Sequence, residues 1–369
     1  MQRRRLAVLG AATVLVVAGH SYLVAPFFDF SRLGWAELLV RGGSIGVVAI
    51  LAALGSATVA ALHRTRRAQL RRLAALAVGL WVASAAAVAV VAASRALDPT
   101  DERAPLSGES LVRIATFSWN SYVANNPLAV APELSGLWVL SVAMQLVGLV
   151  TLLTVVLAGR PWEIGALLAA GAVASTGWAW HLGESEGGFV TTLDTVAAGS
   201  AVLWGGCGTL LAGGLRAPRP RASLAVTGAL GLLVCVVVVG ELPVAAAWSG
   251  LNAVAALCVG LTVGAARPLG NGVARAAETS LGVIGRRWHL VVALSAPVLS
   301  LAGRHLPTAD PATFALAWIA LAAVAIGVPD VLGPITADAV DARRARRRRA
   351  AASAAGHHDE LIQAGERTP

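Results

Sequence analysis

Apolar residues along this chain come in runs of about 20, the length that the hydrocarbon core of a bilayer demands of a helix. The runs fall near 6–28, 42–62, 73–95, 135–158, 162–181, 190–213, 222–240, 244–265, 288–306 and 312–333, divided by short polar or arginine-rich stretches. The pattern predicts an all-α, polytopic membrane protein: a bundle of about ten transmembrane helices within residues 1–335. Residues 336–369 are predicted to be a basic, disordered cytoplasmic tail, whose RRARRRR stretch (Arg343 to Arg349) would lie against anionic lipid. The first run follows Arg3, Arg4 and Arg5, as the core of a signal peptide would. It is too long for that core and more runs follow, so it is read as an uncleaved first helix.

The connecting segments predict orientation. His63–Arg72, Leu215–Arg221, Ala266–Arg287 and Asp341–Arg349 are rich in arginine and are expected on the cytoplasmic side. Leu97–Gly108, His181–Gly188, Glu241–Pro243 and Pro307–Pro311 are acidic or neutral and are expected outside, which leaves both termini cytoplasmic. The outward segment from Leu97 to Glu133 is too long for a plain link. Within it Leu111, Ile114, Phe117, Trp119 and Tyr122 are spaced for a short interfacial helix. Two explanations stand for it: aromatic rings at the headgroup level, or a lid over a site.

Composition narrows the class. Charged residues make up 13% of the chain, against about 25% in soluble domains. The net charge of +9 sits in clusters between runs and at the ends, so it is topogenic; membrane lipids are the expected partners and nucleic acid is not. Cys207, Cys235 and Cys258 lie inside apolar runs without CxxC spacing and suggest neither disulfides nor a metal site. Heavy use of Ala, Gly, Val and Arg without Lys fits a GC-rich bacterial genome, and hence a multi-pass protein of the bacterial plasma membrane. There is no GxSxG elbow, HExxH pair or phosphate loop, so soluble-hydrolase, zincin and NTPase chemistry have no footing. The spans offer too little charge to line a transport path.

Polar groups inside the runs are few. His20 lies about two-thirds of the way through the first run, where a titratable ring is costly to hold and marks a functional site by default. The plainer alternative is that it bonds a carbonyl or hydroxyl of a neighbouring helix. Arg41 precedes Gly42-Gly43-Ser44-Ile45-Gly46, whose glycines permit close helix approach. Ser141 and Gln145 share a helix face below Trp138, and Thr192 and Asp194 open a later run on the side of His20. A histidine, a carboxylate and hydroxyls on one side of a bundle would suit general-base chemistry on an alcohol.

The order of these patches resembles the integral-membrane acyltransferase family 3, which O-acylates cell-envelope glycans and other secreted molecules. LAVLGAATVLVVAGH, Leu6 to His20, is similar to the family's opening run, which ends on a histidine. Gly42 to Gly55 resembles its GGFVGVDVFFVLSGF stretch, and Trp138 to Gln145 its WSLSVEEQF helix start. Thr191 to Asp194, with Gly199, resembles a T-x-T-R-x-D patch, and Leu281 to Ile284 with Pro297 an LGxISYxLYLxHxP stretch. The resemblance runs from residue 6 to about 300 and implies ten helices. It also implies cytoplasmic acyl-CoA as co-substrate, no other cofactor and no metal, His20 as catalytic base, and a glycan or other hydroxyl acceptor. Arg41, Trp138, Ser141, Gln145, Thr192 and Asp194 would contact substrate.

The departures bear on chemistry. Leu9 and Leu193 stand where the family has arginines, Val48 where it has an aspartate, Ala143 and Met144 where it has glutamates, and Val292 near its late histidine. Exchanging buried charges for apolar groups costs little structurally, so the fold can outlive the reaction. Two functions remain open: an active O-acyltransferase with Arg41 as its one substitute cation, or a degenerate relative that binds or scaffolds in the membrane.

Overall fold

A computed structural model describes residues 2–23, 37–62, 64–97, 106–127, 131–214, 218–265 and 272–305. All of these lie in the compact unit Met1–Leu321; the 312–333 window and the tail from 336 lie outside the described residues. No strand occurs among the described residues, and helices occupy the other nine predicted windows. Five helical stretches are long and apolar enough to cross a membrane: Arg66–Leu97, Glu133–Val156, Thr195–Gly214, Ala222–Glu241 and Val244–Gly264.

In chain order the helices are α1 (Gln2–Gly19, continued by a 3-10 turn His20–Leu23), α2 (Glu37–Arg41), α3 (Gly43–Val59) and α4 (Arg66–Leu97). Next come α5 (Gly108–Ala115), α6 (Trp119–Asn125), a 3-10 turn Pro132–Leu137, α7 (Trp138–Val156) and α8 (Pro161–Ser185). The rest are α9 (Gly187–Leu193), α10 (Thr195–Gly214), α11 (Pro218–Val238), α12 (Val244–Ala246), α13 (Asn252–Gly264), α14 (Gly272–Arg286) and α15 (Trp288–His305). A π-helical turn, Ala247–Leu251, joins α12 to α13.

The core is α3, α10 and α13. α3 is buried along nearly its whole length, and α10 packs on both α3 and α13. The chain makes this possible by placing glycine where backbones meet. A Cβ on Gly205 would strike the Ala52 backbone, and one on Gly55 the Val202 carbonyl. The freed carbonyls are used across the seam, with Ser56 Oγ donating to Gly205 O at 3.0 Å and Thr209 Oγ1 to Gly260 O at 3.3 Å. Small residues at helix seams are the expected solution where lipid removes the hydrophobic drive for association. By contrast, α11 leaves Val226, Leu230, Leu233, Val234 and Val237 exposed, an apolar stripe with the character of a lipid-facing surface.

Two segments read as connections turn out to be built parts. Ala266–Arg287 contains α14, which packs closely along α1 and is tied to it by an Arg4–Glu278 ion pair of 3.2 Å. Gly10 and Gly285 bring the two backbones together, each without room for a Cβ against the partner's Leu281 and Leu6 carbonyls. The segment after α4 holds two short helices rather than one. Its rings are not an interfacial belt: Trp119 is fully buried and donates from Nε1 to Leu134 O at 3.0 Å, and Phe117 stacks on Trp81 with centroids 5.6 Å apart. Phe117 adopts a left-handed backbone (φ 54°), a strain held by burial and by the bond from Gln145 Nε2 to its carbonyl.

The α1–α14 contact predicts a contrast between glycines. Gly285→Ala should cost about 3 kcal/mol, the upper range for overpacking, read as an earlier loss of the monodisperse peak on heating in detergent. Gly148 has open space around it, so Gly148→Ala should be neutral or stabilising by up to about 1 kcal/mol. Equal heat profiles for the two variants would refute the contact.

Candidate functional site

His20 begins the 3-10 turn at the end of α1, and the preceding residue decides where its ring goes. Gly19 lies against the Gly43 backbone so closely that a Cβ on either would meet the other's Cα at 2.8 and 2.7 Å. The glycines that open α3 therefore press the end of α1 inward. On the other side Gly136, in the turn before α7, lies over the ring; a Cβ there would sit 3.2 Å from His20 Cε1.

The ring is oriented by Ser295 of α15, whose Oγ lies 2.7 Å from His20 Nδ1. That hydroxyl spends its single proton on the Val292 carbonyl at 2.8 Å. With its proton there it accepts from the imidazole, and in that Nδ1–H tautomer the Nε2 lone pair is free. Nε2 has no hydrogen-bond partner among the described residues.

His20 lines a cavity of about 480 Å³. Its wall also carries Gly43, Ser44, Trp138, Thr192, Phe189 and Trp248, so it is apolar and aromatic with a few hydroxyls. Ser135 lines it too, and its Oγ is buried without a partner among the described residues. Thr192 commits its proton to Gly188 O at 2.6 Å and offers the cavity only lone pairs. A neutral imidazole base, a spare hydroxyl donor and a largely apolar wall can bind a hydroxyl-bearing molecule and take its proton.

Of the residues singled out in the sequence, the structure thus brings together His20, Trp138 and Thr192. The other four are placed elsewhere. Ser141 is buried in α7 and is not part of the cavity wall. Gln145, on the same face, is a strut: it bonds the Phe117 carbonyl, donates to Asn120 Oδ1 at 3.1 Å and accepts from Thr195 Oγ1. Asp194 caps α10, its Oδ1 accepting from Ala197 N at 2.7 Å and Trp178 Nε1 at 3.1 Å. Arg41 is paired with Glu37 at 2.6 Å and Glu241 at 3.3 Å, outside the cavity wall. Its charge is balanced where it stands.

Sequence reasoning passed over Ser295, Ser135 and Trp248. Ser295 is 275 positions from His20, so no local spacing links them. Ser135 directly precedes the glycine that covers the ring, a juxtaposition that only the fold reveals. For Asp194 a signal was present: an aspartate just before an apolar run is a helix N-cap. Comparison with known proteins finds no matching family model, no similar curated protein and no similar solved structure.

The cap role of Asp194 separates its variants. Asp194→Ala should lower stability by about 1 kcal/mol while Asp194→Asn, which keeps the capping oxygen, should lie within a few tenths of wild type, both read by thermal unfolding. An Asn variant as unstable as Ala would show that the carboxylate's charge, and not its cap, is what matters.

Proposed function

We propose that this chain is a membrane-embedded O-acyltransferase-like protein in which His20 is the general base. One observation carries the reading: an imidazole held by Ser295 through Nδ1, its Nε2 without a hydrogen-bond partner among the described residues, on the wall of a cavity of about 480 Å³. Three separate patches of the family resemblance, around Gly43-Ser44, Trp138 and Thr192, meet His20 on that wall. Val292, near which the family's late histidine would fall, supplies the carbonyl that accepts from Ser295 Oγ.

In this reading the chain is a multi-pass protein of the bacterial plasma membrane, with ten spans and cytoplasmic termini. Cytoplasmic acyl-CoA is the acyl donor, and a hydroxyl of an envelope glycan or secreted metabolite is the acceptor. Nε2 takes the acceptor's proton as its oxygen attacks the thioester carbonyl; the C–S bond then breaks and the proton passes to the leaving thiolate. The Ser135 hydroxyl is one donor available to the transient oxyanion.

A second reading has its own support. Arg41 is neutralised by Glu37 and Glu241, so no cation lines the cavity among the described residues. A degenerate relative would keep the cavity to bind an amphipathic hydroxyl compound and catalyse nothing.

Acyl transfer from labelled acyl-CoA in membranes, across a panel of envelope glycan acceptors, decides between them. His20→Ala should lower turnover by 10²–10⁴-fold, the usual worth of a general base, with folding intact. Ser295→Ala should give a partial loss, and ¹⁵N spectra of the ring should show the Nδ1–H form giving way to a mixture. Full activity in His20→Ala would overturn the base assignment. Saturable acceptor binding without transfer in wild type would favour the binding protein.

A further inference from the structure

At the opposite end of α1, some 15 residues and hence roughly 22 Å of helix from His20, lies a group of arginines with a different character. Five described arginines are seen against an acid: Arg4 pairs with Glu278, Arg41 with Glu37, Arg95 with Glu133, Arg113 with Glu109 and Arg160 with Glu163. Arg5, Arg64 and Arg72 have none among the described residues. They converge instead on a cavity of about 350 Å³ lined also by Ser56, Ala57 and Val263, with no carboxylate on its wall among the described residues. Arg5 and Arg72 are shared with a neighbouring cavity of about 340 Å³, whose wall also carries Arg286 and then Leu9, Leu76 and Val147. That cavity is basic where the arginines stand and mainly apolar beyond them, with Thr151 and His289 also on its wall.

The cluster is held by structure. Arg72 reaches back from α4 to the Ala57 carbonyl at 3.4 Å, and Gln69 donates to the carbonyls of Ala61 and Arg64 at 3.2 and 3.3 Å. Gln69 is in turn fixed by Thr154 Oγ1 at 3.0 Å, so the turn carrying Arg64 is tied to α4 and α7. Burial first, and then Arg72 and Arg64, push the Arg5 guanidinium below its ordinary pKa. Like charges gathered at a half-buried site repel one another, and an anion that bonds their unused N–H groups relieves that repulsion. Guanidinium groups match phosphate oxygens in geometry and charge.

We propose that Arg5, Arg64 and Arg72 form a phosphate-binding site at the arginine-rich end of the bundle, taking a dianionic phosphate group with its organic part directed into the apolar neighbouring cavity. The proposal stands apart from acyl transfer at His20, since no residue is shared between the two cavities at this end and the one at the other. The phosphate can come from a lipid headgroup or from a soluble ester, and the two sources separate by experiment.

The test uses the full-length protein in detergent and in nanodiscs. Inorganic pyrophosphate is titrated by calorimetry, and phosphatidic acid is compared with phosphatidylcholine as the nanodisc lipid by native mass spectrometry. Saturable pyrophosphate binding that weakens at least tenfold in Arg5→Gln/Arg72→Gln, and weakens with added salt, assigns a soluble phosphate source. Retention of phosphatidic acid over phosphatidylcholine, lost in the same double variant, assigns a lipid headgroup. Should the double variant not fold, Arg64→Gln replaces it, because Arg64 is exposed and its side chain bonds nothing in the core. His20→Ala serves as a control and should bind either probe as wild type does. Binding of neither probe, or binding equal in wild type and variants, overturns the proposal.

Discussion

Backbone touching backbone at glycine is the interaction on which the rest of this structure depends. A helix bundle in lipid gains nothing from hiding leucine from its neighbours, because the solvent is as apolar as the side chain. It must gain instead from dispersion at close range and from bonds made by carbonyls that a thick side chain would cover. Gly55 and Gly205 bring α3 onto α10, and Ser56 then reaches the Gly205 carbonyl. Gly19 and Gly43 do the same for α1 and α3, and that contact delivers His20 to its cavity. The site is a product of helix packing more than of any local motif.

Low dielectric makes the handling of charge the second constraint. Burying one partner of an ion pair and deleting the other costs about 3–5 kcal/mol, so charges near the cavity are tied to partners. Glu133, almost fully buried in the turn before α7, faces Arg95 at 3.8 Å. That pair links the end of α4 to the turn carrying Ser135 and Gly136, and so supports the roof over the histidine ring. Asp194 is spent on a helix end and Gln145 on the α6–α7–α10 junction. What is left uncommitted at the cavity among the described residues is neutral: one imidazole nitrogen, the Ser135 and Ser44 hydroxyls and the indole N–H groups of Trp138 and Trp248.

Much of the architecture was legible because bilayer thickness imposes a length on apolar runs, and helices stand at nine of the windows that length predicts. His20 was legible for a related reason, since a ring in an apolar run must be explained. Its neighbours were less so. Ser141 and Gln145 do share a face, as their spacing requires, but that face meets α6 and α10 and not the cavity. Helical periodicity says which residues point together and is silent on what they point at. The arginines misled in a similar way: counted by loop they mark orientation, and only the fold separates Arg4, which has its glutamate, from Arg5, which does not.

The neutrality of the cavity limits what chemistry can run there. Removing a proton from an alcohol with no cation at hand would leave an uncompensated charge in an apolar wall, where desolvation costs several kcal/mol. The proposed reaction escapes that penalty by its own stoichiometry. When Nε2 accepts the proton, the ring becomes an imidazolium in the same step that the oxyanion forms, and at low dielectric the two attract strongly. The base thus becomes the counter-ion, which the arginine of a more heavily charged site would otherwise supply. Such a pair is stable only if the ring cannot turn away, and the Ser295 bond and the covering Gly136 oppose that rotation. In the proposed reaction the cost of having no cation on the wall therefore falls on orientation, and the residues that hold the ring carry part of the turnover that the ring supplies.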